Sequence, residues 1–549
     1  LKPCRLWPAD LPTVLRVCVG PRTSDSCASA SDGTMLDTRL RYGATESRAE
    51  ALLSQSVPGP KSFSQAAAPF VAEFVGTFAL VFTVGCCVLS VGDPSWNAIA
   101  IGLALMAMVY ATCPVSGGHL NPAVSLTLCI VGKLPWPLML GYWVVQVSGG
   151  IAAGFCVCAL STPRKAFIEP GPPFTWQYSV TAEFIYTALL CFVVLNCAVA
   201  RRNNPRDDKN QFYGLAIGLA LVAGGYSVGG ISGACLNPAV AVGFDVSSSP
   251  AGATGWSLCW MLAELMGALV AAVLFRIVRQ EEFCNSSGLS TASDVEAITP
   301  FAFTFPAFEP GFASKCLSEF LGTFVLVLTV GLNIIVGSPA GPWAAAAALT
   351  CMVYSLGNVS GAQFNPAVTL AMVLRSRCCV RDGIAFVAAQ LLAGVMAGLT
   401  VASFHSAGPM RNTTFELGPG IGYSPATAGF VELLFTFVLV YAVLASSTVA
   451  SPAGWQSKQN NYFGLAIGSC MAAGGFAIGS VSGGELNPAV CLGIATASLS
   501  HHGAQAPPHA PLTNCLAFST WELAGGLIAA AVFRKTHPGE FKGAPLLVK

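Results

Sequence analysis

SGGHLNPAVSL, at residues 116–126, decides the fold of this chain because the chain repeats it three more times. The pattern returns as SGACLNPAVAV at 232–242, SGAQFNPAVTL at 360–370 and SGGELNPAVCL at 482–492. Each copy places Asn-Pro-Ala-Val after a glycine-containing segment and before apolar residues. We therefore interpret the repeat as the functional site and ask how the rest of the chain holds it.

The Asn-Pro pair marks the beginning of a helix. Pro122 is pre-organised for the first helical position, where its missing N–H has no cost. Asn121 is a favoured N-cap residue, whose side-chain carbonyl accepts a backbone N–H from the first turn. That bond points the amide NH₂ away from the helix and leaves two donors free. We expect the same arrangement in the other three copies.

The helix that follows each Asn-Pro pair is too short to cross a membrane. AVSLTLCIV at 123–131 has nine residues, which is roughly 14 Å of helix and about half of a ~30 Å hydrocarbon core. Ser116-Gly117-Gly118 supplies non-helical backbone, which membranes tolerate only where it lines a cavity. Each copy therefore predicts a re-entrant loop and a half-length helix.

The composition is that of a membrane protein. Of 549 residues, 54% are hydrophobic and 10% charged, whereas soluble domains carry about 25% charged residues. Mean hydropathy is +0.64, and the formal net charge of +1 gives no basic surface for nucleic acid. The cysteines and histidines show no zinc-ligand spacing. We expect no metal, no cofactor and, without a nucleophile and base constellation, no enzymatic activity.

Twelve apolar stretches approach the roughly 20 residues needed to span a bilayer. They lie near 70–92, 97–114, 136–160, 178–200, 212–231 and 255–278, and again near 314–336, 343–358, 382–404, 426–449, 462–481 and 514–533. The sequence therefore predicts an all-α membrane protein with twelve transmembrane helices and four re-entrant half-helices.

The stretches divide the chain into two six-span units. The segment between them is rich in Ser, Thr, Pro and acidic residues, which is typical of a linker. We predict a polar, disordered tail at 1–65 with Met35 as a candidate start, units at 66–280 and 312–536, a linker at 281–311 and a C-terminal tail at 537–549.

A second repeat shows that each unit is itself duplicated. AEFVGTF at 72–78 and AEFIYTA at 182–188 are matched by SEFLGTF at 318–324 and VELLFTF at 431–437. Each quarter of the chain thus has three spans, and because three is odd, successive quarters enter the membrane in opposite directions. Such an inverted repeat places a binding or conduction site near the midplane.

The inverted repeat brings two half-helices of each unit together at their N-termini. Asn121 is expected to face Asn237, and Asn365 to face Asn487. Amide donors and two positive helix ends hold a neutral molecule by its oxygen and repel protons and other cations.

Lys and Arg predict the orientation in the membrane. Arg201, Arg202, Arg206 and Lys209 lie between the fourth and fifth spans. Both tails and the linker share this side, so we expect them in the cytoplasm. The sequon Asn412-Thr413-Thr414 is then on the opposite side. A plasma membrane and a vacuole-type membrane both fit.

The motifs resemble those of the aquaporins, or major intrinsic proteins, across about 66–280 and 312–536. SGGHLNPAV and AEFVGTF are highly specific to that family. The resemblance implies six tilted spans and two half-helices around each pore, passive flux of water or small neutral solutes, and rings of four units, which here means a dimer of chains. It places the pore motifs at Asn121, Pro122, Ala123, Asn237, Pro238, Ala239, Asn365, Pro366, Ala367, Asn487, Pro488 and Ala489.

The resemblance also bears on six glutamates within spans. It implies that four of them accept hydrogen bonds from the irregular loops: Glu73, Glu183, Glu319 and Glu432. Because intramembrane acids are often functional, a proton relay is the alternative. Glu264 and Glu522 stand where the family usually has Pro, and the sequence offers no physical account of them.

Alignment with the family places a selectivity filter at four positions in each unit. They are Ile101, Gly225, Ala234 and Val240 in the first and Ala345, Gly475, Gly484 and Val490 in the second. The two valines replace an Arg that most members carry, as in plant tonoplast-type members. Pore width and lining donors set selectivity, so we expect water, ammonia, urea, glycerol and hydrogen peroxide to pass, with the second pore wider.

Two other functions fit parts of the pattern. Secondary transporters also use inverted repeats and broken helices, but coupling needs an ion site, and each unit offers one Asn pair. A junctional or scaffolding protein with vestigial pores is disfavoured by four intact Asn-Pro-Ala triplets.

Overall fold

The computed structural model describes residues 63–89, 93–160, 168–205, 208–248, 255–283, 309–413, 417–449, 460–500 and 510–541. Nearly all of the expected N-terminal tail, with Met35, lies outside these residues, as do most of the linker, Thr414 and the end of the C-terminal tail. The described residues form sixteen α-helices and no strand. The predicted all-α fold is confirmed.

The first unit contains eight helices. They are α1 (Phe63–Leu89), α2 (Asn97–Ser116), α3 (Pro122–Ile130), α4 (Trp136–Leu160), α5 (Trp176–Val194), α6 (Tyr213–Ser232), α7 (Pro238–Ser248) and α8 (Ser257–Val278). A π-helical turn, Leu195–Val199, extends α5. Helix α1 begins inside the stretch predicted as tail.

The second unit repeats this order. Its helices are α9 (Phe312–Ile335), α10 (Gly341–Leu356), α11 (Pro366–Leu374), α12 (Val380–Ala407), α13 (Pro425–Thr448), α14 (Phe463–Ile478), α15 (Pro488–Ser500) and α16 (Ala510–Thr536).

Four short helices begin at the prolines of the four motifs. Helices α3, α7, α11 and α15 have 9, 11, 9 and 13 residues. At 1.5 Å per residue they measure roughly 14–20 Å, which is less than the ~30 Å hydrocarbon core. The prediction of half-helices is confirmed.

Among the described helices, ten are long and apolar enough to cross a membrane. The remaining two predicted spans are α10 and α14, which have 16 residues each, against 20 in their counterparts α2 and α6. Turns at 357–360 and 479–482 follow these shorter helices and lead into the motifs. Gly357 and Gly479 begin the two turns.

Glycines on long helices let the half-helices approach closely, as small residues do between membrane helices. A Cβ added to Gly150 of α4 would lie 2.2 Å from the carbonyl oxygen of Ala239 in α7. Gly394 of α12 has the same relation to Ala489 in α15, at 2.5 Å. A side chain at either position would push a half-helix away from the long helix that supports it.

The two units pack against each other through α5 and α6 of the first and α9 and α10 of the second. The Tyr186 hydroxyl lies 3.0 Å from the Thr329 hydroxyl, and the Phe212 ring stacks on Tyr354 with centroids 4.2 Å apart. Because polar groups pair across the contact, it has a defined register.

Arg279, just after α8, joins the units at one end of this contact. Its side chain is fully buried. Its Nε donates to Asn196 Oδ1 of the first unit, and its Nη2 donates to the Ser355 carbonyl of the second, both at 2.8 Å. Burial lowers the pKa of the Arg279 guanidinium to about 10, so it stays charged at neutral pH.

Replacing Arg279 with Met should destabilise the protein while keeping most of the side-chain volume. The buried acceptors of Asn196 and Ser355 lose their donor, and each unsatisfied group costs about 1–3 kcal/mol. The melting temperature in detergent should fall by several degrees. The control is Arg276→Met, because Arg276 is exposed one turn earlier. Equal melting of the two variants would contradict this role for Arg279.

Candidate functional site

The Asn of each motif caps its half-helix. Oδ1 of Asn121 accepts the N–H of Ala123 at 2.8 Å. The other three caps have the same form, with distances of 3.0, 2.8 and 2.9 Å for Asn237, Asn365 and Asn487. The N-cap prediction is confirmed.

The two Asn side chains of each unit converge, and each donates a hydrogen bond to a backbone carbonyl of the opposite loop. Nδ2 of Asn121 donates to the Leu236 carbonyl at 2.8 Å, and Nδ2 of Asn237 donates to the Leu120 carbonyl at 2.9 Å. In the second unit, Nδ2 of Asn365 donates to the Leu486 carbonyl at 2.8 Å, and Nδ2 of Asn487 donates to the Phe364 carbonyl at 2.9 Å. The prediction of two free donors per amide is wrong, because one N–H of each is used by the opposite loop.

The residue before each Asn has left-handed backbone. The φ angles are 52° at Leu120, 49° at Leu236, 52° at Phe364 and 53° at Leu486. Such a conformation costs a non-glycine residue about 1–3 kcal/mol. These same four residues present the carbonyls that accept from the opposite Asn, so the surrounding contacts must hold the loops in this strained form.

Four buried acids hold the strained loops. Glu73 accepts the Ser116 hydroxyl at 2.6 Å and the N–H groups of His119 and Leu120 at 2.9 and 2.7 Å. Glu319 makes the equivalent contacts in the second unit. Glu183 makes the equivalent contacts with the second loop of the first unit. Glu432 accepts the Ser482 hydroxyl and the N–H groups of Gly484 and Leu486 in the second unit.

Glu264 and Glu522 have a contact that the sequence analysis missed. Oε1 of Glu264 accepts the backbone N–H of Asn237 at 2.7 Å, and Oε1 of Glu522 accepts that of Asn487 at 2.7 Å. These acids thus fix the backbone of the Asn whose side chain crosses the unit. The available signal was an acid three residues before a glycine in the last span of both units.

Glu264 occupies the position that Gln146 has in the first half of the unit. Gln146 precedes Gly149 on α4 as Glu264 precedes Gly267 on α8, and its Nε2 donates to Glu73 at 2.8 Å. Oε2 of Glu264 is buried and has no hydrogen-bond partner among the described residues, and Glu183 is a neighbouring acid. Two adjacent buried carboxyl groups repel each other when both are ionised, so we expect one of the pair to hold a proton. A protonated Glu264 would supply a donor at the position where Gln146 supplies one in the first half of the unit.

Changing Glu264 to Gln should therefore be tolerated, whereas Glu264→Leu should not. Gln can accept the Asn237 N–H as Glu264 does and can donate to the neighbouring Glu183, while Leu leaves the Asn237 N–H unsatisfied at about 1–3 kcal/mol. We expect water permeability of the Gln variant in liposomes within about twofold of wild type. The Leu variant should have lower melting temperature and flux. Equal damage from both substitutions would contradict this role for Glu264.

The eight predicted filter residues lie in two groups, one in each unit. Ile101, Gly225, Ala234 and Val240 line a cavity of about 390 Å³, here called pore 1. Ala345, Gly475, Gly484 and Val490 line a cavity of about 360 Å³ in the second unit, here called the filter-side chamber of pore 2. The sequence alignment therefore brings together residues that share a cavity.

One acid distinguishes the two cavities. Glu485 lines the filter-side chamber of pore 2 at the motif position where Cys235 lines pore 1. Glu485 is buried near Glu432, and its Oε2 has no hydrogen-bond partner among the described residues. The sequence analysis missed it, although it occupies the most variable position of the repeated motif.

Known proteins match parts of this chain. The model of the major intrinsic protein family matches residues 61–170, 173–333 and 307–533. Aquaporin NIP1-3 of Oryza sativa subsp. japonica is 34% identical over 229 residues, covering 39% of this chain and 78% of that protein. Aquaporin-8 of Rattus norvegicus is 31% identical over 244 residues, covering 42% and 89%. The X-ray structure of the aquaglyceroporin from Plasmodium falciparum aligns at 23% identity and a TM-score of 0.35, covering 38% and 95%.

Proposed function

This chain belongs to the major intrinsic protein family, and on that premise we propose that it conducts small neutral solutes together with water. Membership of the family and the apolar helices make it a multi-pass membrane channel. The proposed solutes are ammonia, urea, glycerol and hydrogen peroxide. The observation that carries the proposal is that the filter positions of both units present only Gly, Ala, Val or Ile to the cavity.

The Asn pair supports passage of neutral molecules. Each amide keeps one N–H beyond the bond that it donates to the opposite loop, and Asn121 and Asn237 both line pore 1. Two half-helix N-termini meet at the same place, and their positive ends oppose cations. A molecule with an oxygen or nitrogen acceptor therefore finds donors there, whereas a proton or metal ion meets an electrostatic barrier.

The double change Val240→Arg with Val490→Arg tests the filter. Arg is permanently charged and carries a fork of donors, so it narrows the cavity and binds passing solutes. Urea and glycerol permeability should fall at least about tenfold and water permeability no more than about twofold. Proton exclusion should stay unchanged, because the half-helix ends supply it.

The measurement is light scattering by proteoliposomes, normalised to inserted protein, with Val240→Ile and Val490→Ile as the uncharged control. A wild type that passes water alone would contradict the proposed solutes. So would a double variant that loses water and urea in equal proportion. Saturating or gradient-coupled flux would indicate a transporter.

We further propose that the tails and linker face the cytoplasm. Basic residues of several loops meet acids next to α8 and α16 on one side of the molecule. Arg202 lies 3.3 Å from Glu281, and Lys133 Nζ lies 3.2 Å from Glu282. Enrichment of Lys and Arg is typical of the cytoplasmic side. The identity of the membrane stays open.

For the assembly we propose a dimer of chains. The contact between units joins the fourth and fifth spans of one unit to the first and second spans of the next. These are different faces, so the contact is heterologous, and repetition of a heterologous contact can close a ring. If α13 and α14 meet α1 and α2 of another chain in the same way, two chains complete four units.

Native mass spectrometry in detergent should therefore give an assembly of two chains, each of 56.6 kDa. Tyr462, the exposed counterpart of Phe212, is expected in the new contact. Tyr462→Arg should shift the population to single chains, whereas Leu516→Arg on α16, which is also exposed, should not. A stable assembly of four chains would contradict the proposal.

A further inference from the structure

Four equivalent positions in the pore walls carry three leucines and one methionine. Sixteen residues before each motif Asn stand Leu105, Leu221, Leu349 and Met471. We propose that Met471 closes pore 2 beside the Asn pair, so that pore 1 carries most of the flux. The inference rests on the proposed channel function and adds that the two pores are not equivalent.

Pore 1 is one continuous cavity. It extends from Val240 at the filter past Asn121 and Asn237 to Val109 and Val194 on the far side of the Asn pair. Leu221 contributes to its wall without dividing it. A solute that enters at the filter can therefore reach the opposite half of the first unit.

Pore 2 is divided into two chambers. The filter-side chamber contains Val490, and a separate chamber of about 10 Å³ contains Asn365 and Asn487. Met471 lines both, so its side chain stands between them. The chamber that contains Asn365 and Asn487 is here called the far-side chamber of pore 2. A cavity needs about 10–15 Å³ to hold one water molecule. The far-side chamber therefore holds one water molecule at most and cannot hold a continuous file of water.

The rest of the far-side wall is nearly the same in both pores. Six positions have the same residue type in both pores. In pore 2 they are Leu326, Leu349, Val368, Leu439, Val443 and Ile467. Four positions differ: Met471 replaces Leu221, Ala362 replaces Gly118, Gln363 replaces His119, and Phe364 replaces Leu120. Met471 is the one of these four that also lines the filter-side chamber.

The other three replacements do not account for the closure. The Phe364 ring packs against Gly322 of α9, as the Leu120 side chain packs against Gly76 of α1. A Cβ added to Gly118 would lie against the Thr112 hydroxyl at 3.0 Å and the Val109 carbonyl at 3.1 Å, at the end of α2. The Gln363 side chain folds back toward Gly361, and its Nε2 would lie 3.6 Å from a Cβ added to that glycine. The His119 side chain folds back toward Gly117 in the same way.

The chemistry of methionine suits a closure of this kind. The side chain is unbranched, with three rotatable bonds, and fills irregular gaps that leucine leaves open. A change of Met471 rotamer is enough to join the two chambers. The closure is therefore a side-chain gate within a fixed backbone.

The test blocks pore 1 and measures the water permeability that remains. Val240→Trp fills the filter of pore 1, so water permeability per inserted chain should fall at least about tenfold. Adding Met471→Leu to Val240→Trp should restore permeability to about half of wild type or more. In the reciprocal direction, Leu221→Met in the wild-type background should reduce flux.

Two results would overturn the inference. One is a Val240→Trp protein that keeps about half of the wild-type permeability, because that is the outcome for two equal pores. The other is a failure of Met471→Leu, and also of Met471→Ala, to restore flux in a protein that elutes as wild type does. If the wild type passes no water, the proposed channel function itself fails.

A thiol reagent gives the same answer without altering the filter. Cys235 lines pore 1, and its counterpart in pore 2 is Glu485. Methanethiosulfonate should block flux through wild type by modifying Cys235, and Cys235→Ala is the unmodified control. The flux that is lost in wild type alone gives the fraction of total flux that pore 1 carries. We expect a share above about nine tenths, and a share near one half would refute the inference.

Discussion

The structure depends on buried carboxyl groups that hold strained backbone in place. A left-handed leucine or phenylalanine before each Asn turns a carbonyl toward the opposite loop, and each such turn costs about 1–3 kcal/mol. Glu73 and its three counterparts offset that cost by accepting hydroxyl and backbone N–H groups from the same loop. Without these acceptors the Asn pair would lose its alignment, and the half-helix ends would no longer meet.

The sequence predicted the architecture because its signals are local and repeated four times. Proline fixes where each half-helix begins, and span length separates it from a full helix. It did not predict what the Asn amides contact, because those partners lie on another quarter of the chain. It did not predict what Glu264 contacts, because Asn237 lies 27 residues earlier, before a different helix of the same quarter. Asn121 donates to a residue 115 positions away. The closure at Met471 was also out of reach, since it depends on how a flexible side chain packs.

The two loops of each unit are related by pseudosymmetry, but different side chains hold them. Gln146 and Glu264 occupy related positions and brace related loops, but only one of them needs a proton to donate. The first loop is therefore held by an amide whose hydrogen-bonding role is fixed, and the second by a pair of acids. Glu522 repeats the substitution in the second unit, so the difference belongs to the half-unit and not to one pore.

The contact between α5–α6 and α9–α10 has a consequence for how such a protein changes over evolutionary time. Separate identical chains acquire every substitution in all their pores at once, so a change that impairs conduction is exposed to selection everywhere. Two units on one chain are always made in equal number, so a substitution in one unit leaves the other unit unchanged. One copy can preserve transport while its neighbour accumulates a longer side chain or an additional carboxyl group. A chain with two units can therefore carry two channels whose properties differ.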